Sequence, residues 1–350
     1  MWLQLSVAHA QEAAARVDTY ADGWIVVVSP AANVSVPLTK TWRVGGAWTA
    51  DIVSGATPLL RADVVSSATH FEDTRHGVDL SATAAPTGGW KLTGALSASV
   101  EPDHTAGTAG VLVDTEAFGR MVTLSAGWHS TASRAGRADD AAYASHASDH
   151  ALDLRWTQIL DRATVATARL SAEASVCGTD LGCQANPYRL VAVDDLVLSE
   201  RHPDRRGRLA GSLRVSRACG PSTALHGGIR AYTDTWRVTG GGADLSAARS
   251  FLGERVVVGA TGRLGLQGAA SFWRGSYGGT PAWRTADPEL AGFTLAAAGG
   301  RAEWAAFGVG PSSRLALSVR VERQWYRYPD DIAVPRRAAW VIGGGLDVDY

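Results

Sequence analysis

Two stretches of this chain gather side chains that can bind a divalent cation. Within residues 66–76, His70, Glu72, Asp73 and His76 offer two imidazoles and two carboxylates, the donor types that suit zinc and similar ions. Asp139, Asp140, His146, Asp149 and His150 form a second group of this kind. Neither follows a fixed ligand spacing. A solvated polar loop is the simpler account of each, with Arg75 beside Glu72 and Asp73 in the first. No metal and no other cofactor is expected. Covalent catalysis needs a nucleophile with a base in reach. The chain has no Gly-x-Ser-x-Gly turn, no glycine-rich phosphate loop opening a helix and no Cys-x-x-Cys-His haem attachment site. It does not read as an enzyme. A net charge of −1 over 350 residues gives no electrostatic reason to expect a nucleic-acid partner.

The stronger candidates are charges spread along the chain at alternate positions: Arg43, Asp51, Asp153, Arg155, Arg169, Glu173, Arg214, Arg230, Arg263, Arg320 and Glu322. What they can do depends on the elements that carry them. In residues 42–52, Trp42, Val44, Gly46, Trp48, Ala50 and Ile52 share one parity and Arg43, Thr49 and Asp51 the other. Leu152, Leu154 and Trp156 oppose Asp153 and Arg155, and Ala166, Ala168, Leu170 and Ala172 oppose Arg169 and Glu173. Val256, Val258, Ala260, Leu264 and Leu266 oppose Arg263, and Leu315, Leu317, Val319 and Val321 oppose Arg320 and Glu322. A period of two puts alternate side chains on opposite faces of a strand. Helical periodicity is almost absent, and no apolar run reaches the ~18 residues of a membrane-spanning helix. Each alternating stretch instead approaches or exceeds the ~9–11 residues of a tilted spanning strand. With the apolar parity in lipid, the charged parity must point into a lumen. There it either selects solutes by charge or pairs across strands and braces the wall.

Residues 340–350 favour the membrane reading. Trp340, Ile342, Gly344, Leu346, Val348 and Tyr350 fall on one face, opposite Asp347 and Asp349. An apolar strand ending on an aromatic leaves a sticky edge in a soluble domain. In a membrane barrel it closes the sheet and resembles the signal that hands outer-membrane barrels to their assembly machinery, here through the strand ending at Tyr350. Connection lengths point the same way. Turns near 86–89, 116–119, 160–163, 219–222, 252–255 and 308–313 are short. Longer polar connections lie near 54–76, 132–147, 177–207, 268–290 and 327–337. Short periplasmic turns and long extracellular loops describe an outer-membrane barrel. Counting back from a periplasmic Tyr350 predicts fourteen strands from residue 40 onward. A hairpin over 14–38, breaking at Asp22-Gly23, would make sixteen. The prediction is an all-β, single-domain antiparallel barrel over residues 11–350, with sixteen strands and fourteen as the alternative count.

Residues 1–10 read as a truncated signal peptide. Leu3, Leu5 and Val7 lead into Ala8-His9-Ala10, a small-x-small cleavage pattern without the usual basic start. Export permits a disulfide between Cys177 and Cys183, leaving Cys219 over. Trp90, Trp128, Trp156, Trp236, Trp273, Trp304, Trp325 and Trp340 suit the interfacial aromatic girdles of a barrel better than a sugar-binding slide.

Several short segments also resemble one family: Asp51-Ile-Val-Ser-Gly-Ala-Thr-Pro58, Phe71-Glu-Asp-Thr-Arg75, Asn186-Pro-Tyr-Arg189, Arg201-His-Pro-Asp-Arg205, Tyr232-Thr-Asp-Thr-Trp236 and Ala286-Asp-Pro-Glu-Leu290. In order and spacing they resemble an uncharacterised group of bacterial outer-membrane β-barrels labelled domain of unknown function 3570. The resemblance implies fold and location more than activity. It also implies redox neighbours, a thioredoxin-like protein and a flavin-attaching transferase, and so a periplasmic partner. Two functions follow as expectations. One is porin-like passage of small polar solutes through the outer membrane. The other is a structural or assembly sleeve that holds a periplasmic or redox partner.

Overall fold

The computed structural model describes residues 12–56, 70–86, 88–137, 139–178, 181–306, 314–331 and 335–349. The leader read at residues 1–10 and the terminal Tyr350 lie outside these residues. The chain forms β1 (Glu12–Ala21), β2 (Ile25–Pro37), β3 (Trp42–Ala56), β4 (His70–Ala84), β5 (Trp90–Val100), β6 (His104–Ala117), β7 (Val122–Ala135), β8 (Ser145–Asp161) and β9 (Thr164–Cys177). A small hairpin, β10 (Leu190–Val193) and β11 (Leu196–Ser199), follows. Then come β12 (Arg205–Ala218), β13 (Thr223–Asp234), β14 (Thr239–Phe251), β15 (Val256–Gln267), β16 (Phe293–Ala306), β17 (Arg314–Arg327) and β18 (Arg336–Asp349). All except β10 and β11 join one closed antiparallel barrel of sixteen strands, each next to its neighbour in sequence. The higher of the two predicted strand counts is the right one.

The closing contact is β18 against β1, in register from Glu12↔Asp349 to Ala21↔Trp340. β18 thereby bonds on both sides, to β1 and to β17, and no apolar edge is left open. β1 and β2 are the hairpin expected at Asp22-Gly23. The Asp22 carboxylate accepts from the backbone N–H groups of Trp24 (2.7 Å) and Ile25 (2.8 Å), the side-chain turn that aspartate makes readily.

The alternation sorts the side chains as the sequence implied. Leu245 and Leu264 are each 65% exposed on the outer face. Trp340 and Ile342 are exposed there as well, as are Val258 and Leu317. Such a continuous apolar exterior is an aggregation hazard in water and an ordinary surface in lipid. No helix among the described residues is long and apolar enough to cross a membrane.

The ends of the barrel differ. At the end where β18 finishes, the links are short, and two of them use left-handed backbone around a glycine. Phe118-Gly119-Arg120 and Leu252-Gly253-Glu254 all have positive φ, which a central glycine adopts without a Cβ penalty. The strand ends joined by the longer connections, 57–69, 136–144, 178–204, 268–292 and 328–335, all lie at the other end. The links 22–24, 101–103 and 235–238 at that end are short too, which connection length alone did not separate.

The long connections are not simply polar. Residues 181–204 and 268–292 pack together into a cap at that mouth. Val191, Val193 and Tyr277 form one buried cluster. Cys177, Cys183, Trp236, Val238, Trp273, Leu290, Ala291 and Tyr328 form a second, larger one. Trp236 packs edge-on to Phe272 and His202, with the Arg206 guanidinium 4.1 Å from its ring centre. The girdle expectation fails for two of its members. Trp236 and Trp273 are 3% and 4% exposed in the cap core, whereas Trp90, Trp128, Trp304, Trp325 and Trp340 are exposed on the outer face. Loop tryptophans and strand tryptophans look alike in sequence, and only the cap's packing separates them.

Candidate functional site: the barrel lumen

Strand register fixes which side chains meet inside. Arg43 on β3 donates to Ser35 (3.0 Å) and pairs with Glu12 at 3.5 Å. Asp51 accepts from Ser29 (2.5 Å) and faces Arg75 at 3.9 Å. Asp153 lies 3.6 Å from His129. Arg155 reaches over β7 to Asp114, 3.5 Å away, and donates to Ser125. Glu173 pairs with Arg208 at 2.7 Å, Arg214 with Asp244 at 3.0 Å and Arg320 with Asp18 at 2.8 Å. Arg263 and Glu322 bond to each other across β16. Arg169 and Arg230 make no ion pair among the described residues.

Nine of the eleven charges singled out from sequence are therefore held in cross-strand pairs. Several pairs bridge an intervening strand, and the residue beneath is small for that reason. A Cβ on Gly228 would sit 2.6 Å from an Asp244 carboxylate oxygen. One on Gly343 would fall between Asp18 and Arg320. The partners Glu12, Asp18, Asp114, Arg208 and Asp244 escaped the sequence reading although they share the inward parity. Two more pairs brace the capped mouth. Arg206 binds Asp234 at 2.7 Å, with the Tyr232 hydroxyl also donating to Asp234, and Arg337 binds Asp22.

The two metal-like groups do not assemble. Glu72 and His76 lie on the outward parity of β4, where His76 stacks on Trp48. Asp73 and Arg75 lie on the inward parity, and the His70 side chain is outside the described residues. In the second group, His150 stacks on Trp128 outside the barrel, whereas Asp149 accepts from Ser175 within it at 2.5 Å. Asp139 pairs with Arg137 at 2.7 Å, and Asp140 caps its own turn. Asp73, Glu101 and Asp103 are the one group among the described residues whose ligand atoms lie within 4.8 Å of one another. Burial, then the neighbouring carboxylates of Asp73 and Asp103, push the Glu101 carboxyl up; His104 and Arg75 pull it back. Ser216 and His226 meet across β12 and β13 at 2.8 Å, a contact that a search for spacing within one strand misses. No carboxylate orients this imidazole among the described residues, so the pair is a hydrogen bond without the third group of a catalytic triad.

Cys177 and Cys183 are joined in a disulfide, with Cα atoms 5.1 Å apart, and Cys219 is free and exposed. The bond pins the start of the cap to the end of β9. Reduction is expected to leave the barrel intact while opening residues 181–204 to protease. The check is limited proteolysis with and without dithiothreitol, alongside heat-modifiable migration on gels.

A closed sixteen-stranded antiparallel barrel with an apolar exterior and a charged interior is the architecture of outer-membrane proteins. The chain belongs to the family described as protein of unknown function (DUF3570), whose model matches residues 93–301. No curated protein matches its sequence. Among solved structures it is similar to the siderophore receptor PirA of Pseudomonas aeruginosa, with 12% identity, a TM-score of 0.50 and 91% of this chain covered. The match spans only 56% of that receptor's length. OccK2 (OpdF) of the same organism aligns over 98% of both chains at 11% identity and a TM-score of 0.48. An outer membrane protein of Vibrio cholerae, a loop L8 deletion mutant of OmpT, aligns over 96% of this chain and 98% of its own at 8% identity and a TM-score of 0.48. At these identities the likeness concerns the fold alone.

Proposed function

We propose that this protein resides in the outer membrane of a Gram-negative bacterium and lets small polar solutes cross through its lumen. The apolar belt contacts lipid, the cap faces outward and the short turns face the periplasm. The β18 strand engages the barrel-assembly machinery. The observation that carries the reading is the charged interior. A sixteen-stranded barrel is wide enough for an aqueous channel unless loops fill it. The inward charges are arranged in pairs along the wall and brace the barrel from within. Bracing is thus the role of most of these charges, and solute selection falls to the unpaired few.

One observation favours the second reading, a sleeve for a periplasmic or redox partner. The cap is a packed unit, anchored at separated points of the rim. Tyr188 donates to Asp103 in the link between β5 and β6 (2.6 Å), and Gln267 donates to the backbone carbonyls of Glu289 (2.7 Å) and Ala291 (3.0 Å).

Single-channel recording of the refolded protein in a planar bilayer separates the two. Passage predicts stable open steps, with a reversal potential in a salt gradient that moves toward cation selectivity in Arg169→Gln and Arg230→Gln. A barrel that inserts but stays silent favours the sleeve.

A further inference from the structure

We infer that the lumen wall beneath the cap contains a binding recess for a small monocarboxylate with an apolar or aromatic body. This deepens the passage reading by naming a solute class, and it rests on a solvent-filled lumen. The recess is visible in the register. One lateral row runs Arg230↔Gly242↔Gly265↔Leu295↔Tyr326 across β13 to β17. The row above it, toward the cap, runs Tyr232↔Gly240↔Gln267↔Phe293. Two adjacent strands thus turn glycine inward at one level, while the strands on either side turn in long side chains.

The result is a cavity of about 530 Å³ with a bare backbone floor, within the usual range for small-molecule sites. Arg230 occupies one side, and its Nε would lie 3.3 Å from a Cβ on Gly242, so the guanidinium rests on the glycine floor. Phe293, Leu295 and Tyr326 make the opposite wall. With strands ~4.8 Å apart, the backbones of Arg230 and Leu295 are separated by roughly 14 Å. That span accommodates the arginine side chain, a carboxylate and one ring.

The charge pattern sets the ligand's sign. Around the cavity, Arg263 is bound to Glu322 and Arg214 to Asp244. Asp153, which also lines the cavity, faces His129 at 3.6 Å. Arg230 and Arg169 have no carboxylate partner among the described residues, and they belong to one row through Ser212. A guanidinium presents a planar fork that matches a carboxylate with two parallel hydrogen bonds. The apolar wall opposite it does not suit a compact hydrated anion. A ring carboxylate satisfies both sides, with Arg169 as the neighbouring positive step along the wall.

The test is equilibrium binding of benzoate, benzamide and inorganic phosphate to the full chain refolded in detergent micelles, by titration calorimetry. Benzamide keeps the shape of benzoate and removes its charge. The expected result is benzoate binding at least about tenfold tighter than benzamide or phosphate. Arg230→Gln should weaken benzoate at least about tenfold. Gly265→Leu fills the recess, and its Cβ meets Leu295 and Gly241 only at ordinary contact distances of 3.6 to 3.8 Å, so a folded barrel without benzoate binding is expected. Both variants are first confirmed as folded by heat-modifiable migration. Equal binding of benzoate and benzamide, or benzoate affinity unchanged in either variant, overturns the inference. Planar-bilayer recording on the same preparations separates this outcome from failure of passage. Open steps without benzoate binding reject the recess and leave passage standing. Benzoate binding in a silent barrel keeps the recess and rejects passage.

Discussion

Leu245→Arg is expected to cost the barrel about 2–4 kcal/mol of insertion, the amount measured for arginine at the mid-depth lipid face of such barrels. Leu245 lies at the centre of β14, between Gly227 and Gly262 of the neighbouring strands, and is 65% exposed. Nothing around it can receive a guanidinium, because its flanking outward residues are Ala243 and Ala247. The same change at Val258 or Leu317 should cost less, about 0–1 kcal/mol if those positions reach the interface. Both are exposed on the outer face but lie near the ends of β15 and β17 that adjoin the short turns. From the sequence alone these three positions look equivalent, and depth distinguishes them only once the strand bounds are known. Urea titration of refolding into lipid vesicles reads the difference directly. Equal stability of wild type and Leu245→Arg would remove the lipid-facing assignment, and with it the membrane reading.

The barrel was legible because its rule is local. Alternation of Trp42, Val44 and Trp48 against Arg43 and Asp51 needs no distant partner, and β18 announces both faces within one stretch. Strand number followed from turns such as Asp22-Gly23, where one side chain satisfies the backbone of the turn. The pairing partners were less legible. That Arg320 binds Asp18, or Arg263 binds Glu322, depends on which strands neighbour which and on register, and a slip of one residue reverses every face. The glycine rows show the same limit. Gly242 and Gly265 are unremarkable among 39 glycines, and become a recess only when β14 and β15 lie side by side. The cap was hidden for a different reason. Glu200, His202, Arg189 and Asp287 read as polar loop residues, although Glu200 and His202 are nearly fully buried. Their burial depends on Trp236, Trp273 and Tyr277 arriving from other segments.

That buried network yields the other large effect. Arg189 contacts Asp287 at 2.5 Å and Glu200 at 3.4 Å, and Thr285 donates to Glu200 from the far side. The two nitrogens of His202 face a Cys183 carbonyl at 2.9 Å and the Glu200 carboxylate at 3.2 Å. Arg189→Met would leave the Glu200 and Asp287 carboxylates without the guanidinium that bridges them. The expected cost is about 3 kcal/mol, the lower end for breaking a buried pair, because the Arg189 side chain keeps 29% of its exposure. Hydrogen exchange of β10 and β11 should accelerate accordingly, with the barrel strands unchanged.

Acid gives the complementary test. Burial by itself pushes the Glu200 carboxyl up, but His202, Arg189 and Thr285 together hold it below its usual value. A carboxyl depressed in the folded state adds stability that is complete above about pH 5 and fades as pH falls through the folded value. Glu289 has the opposite sign. Burial and the nearby Asp287 raise it, against the pull of Arg189, Arg337 and Arg206, so its protonation on acidification favours the closed cap. Glu200→Gln removes the first contribution and keeps the second. Wild type should therefore lose cap protection as pH drops below about 4, while Glu200→Gln holds or gains protection over the same interval. Parallel loss in both proteins would mean that another group controls the cap, and that the buried ion network does not hold it closed.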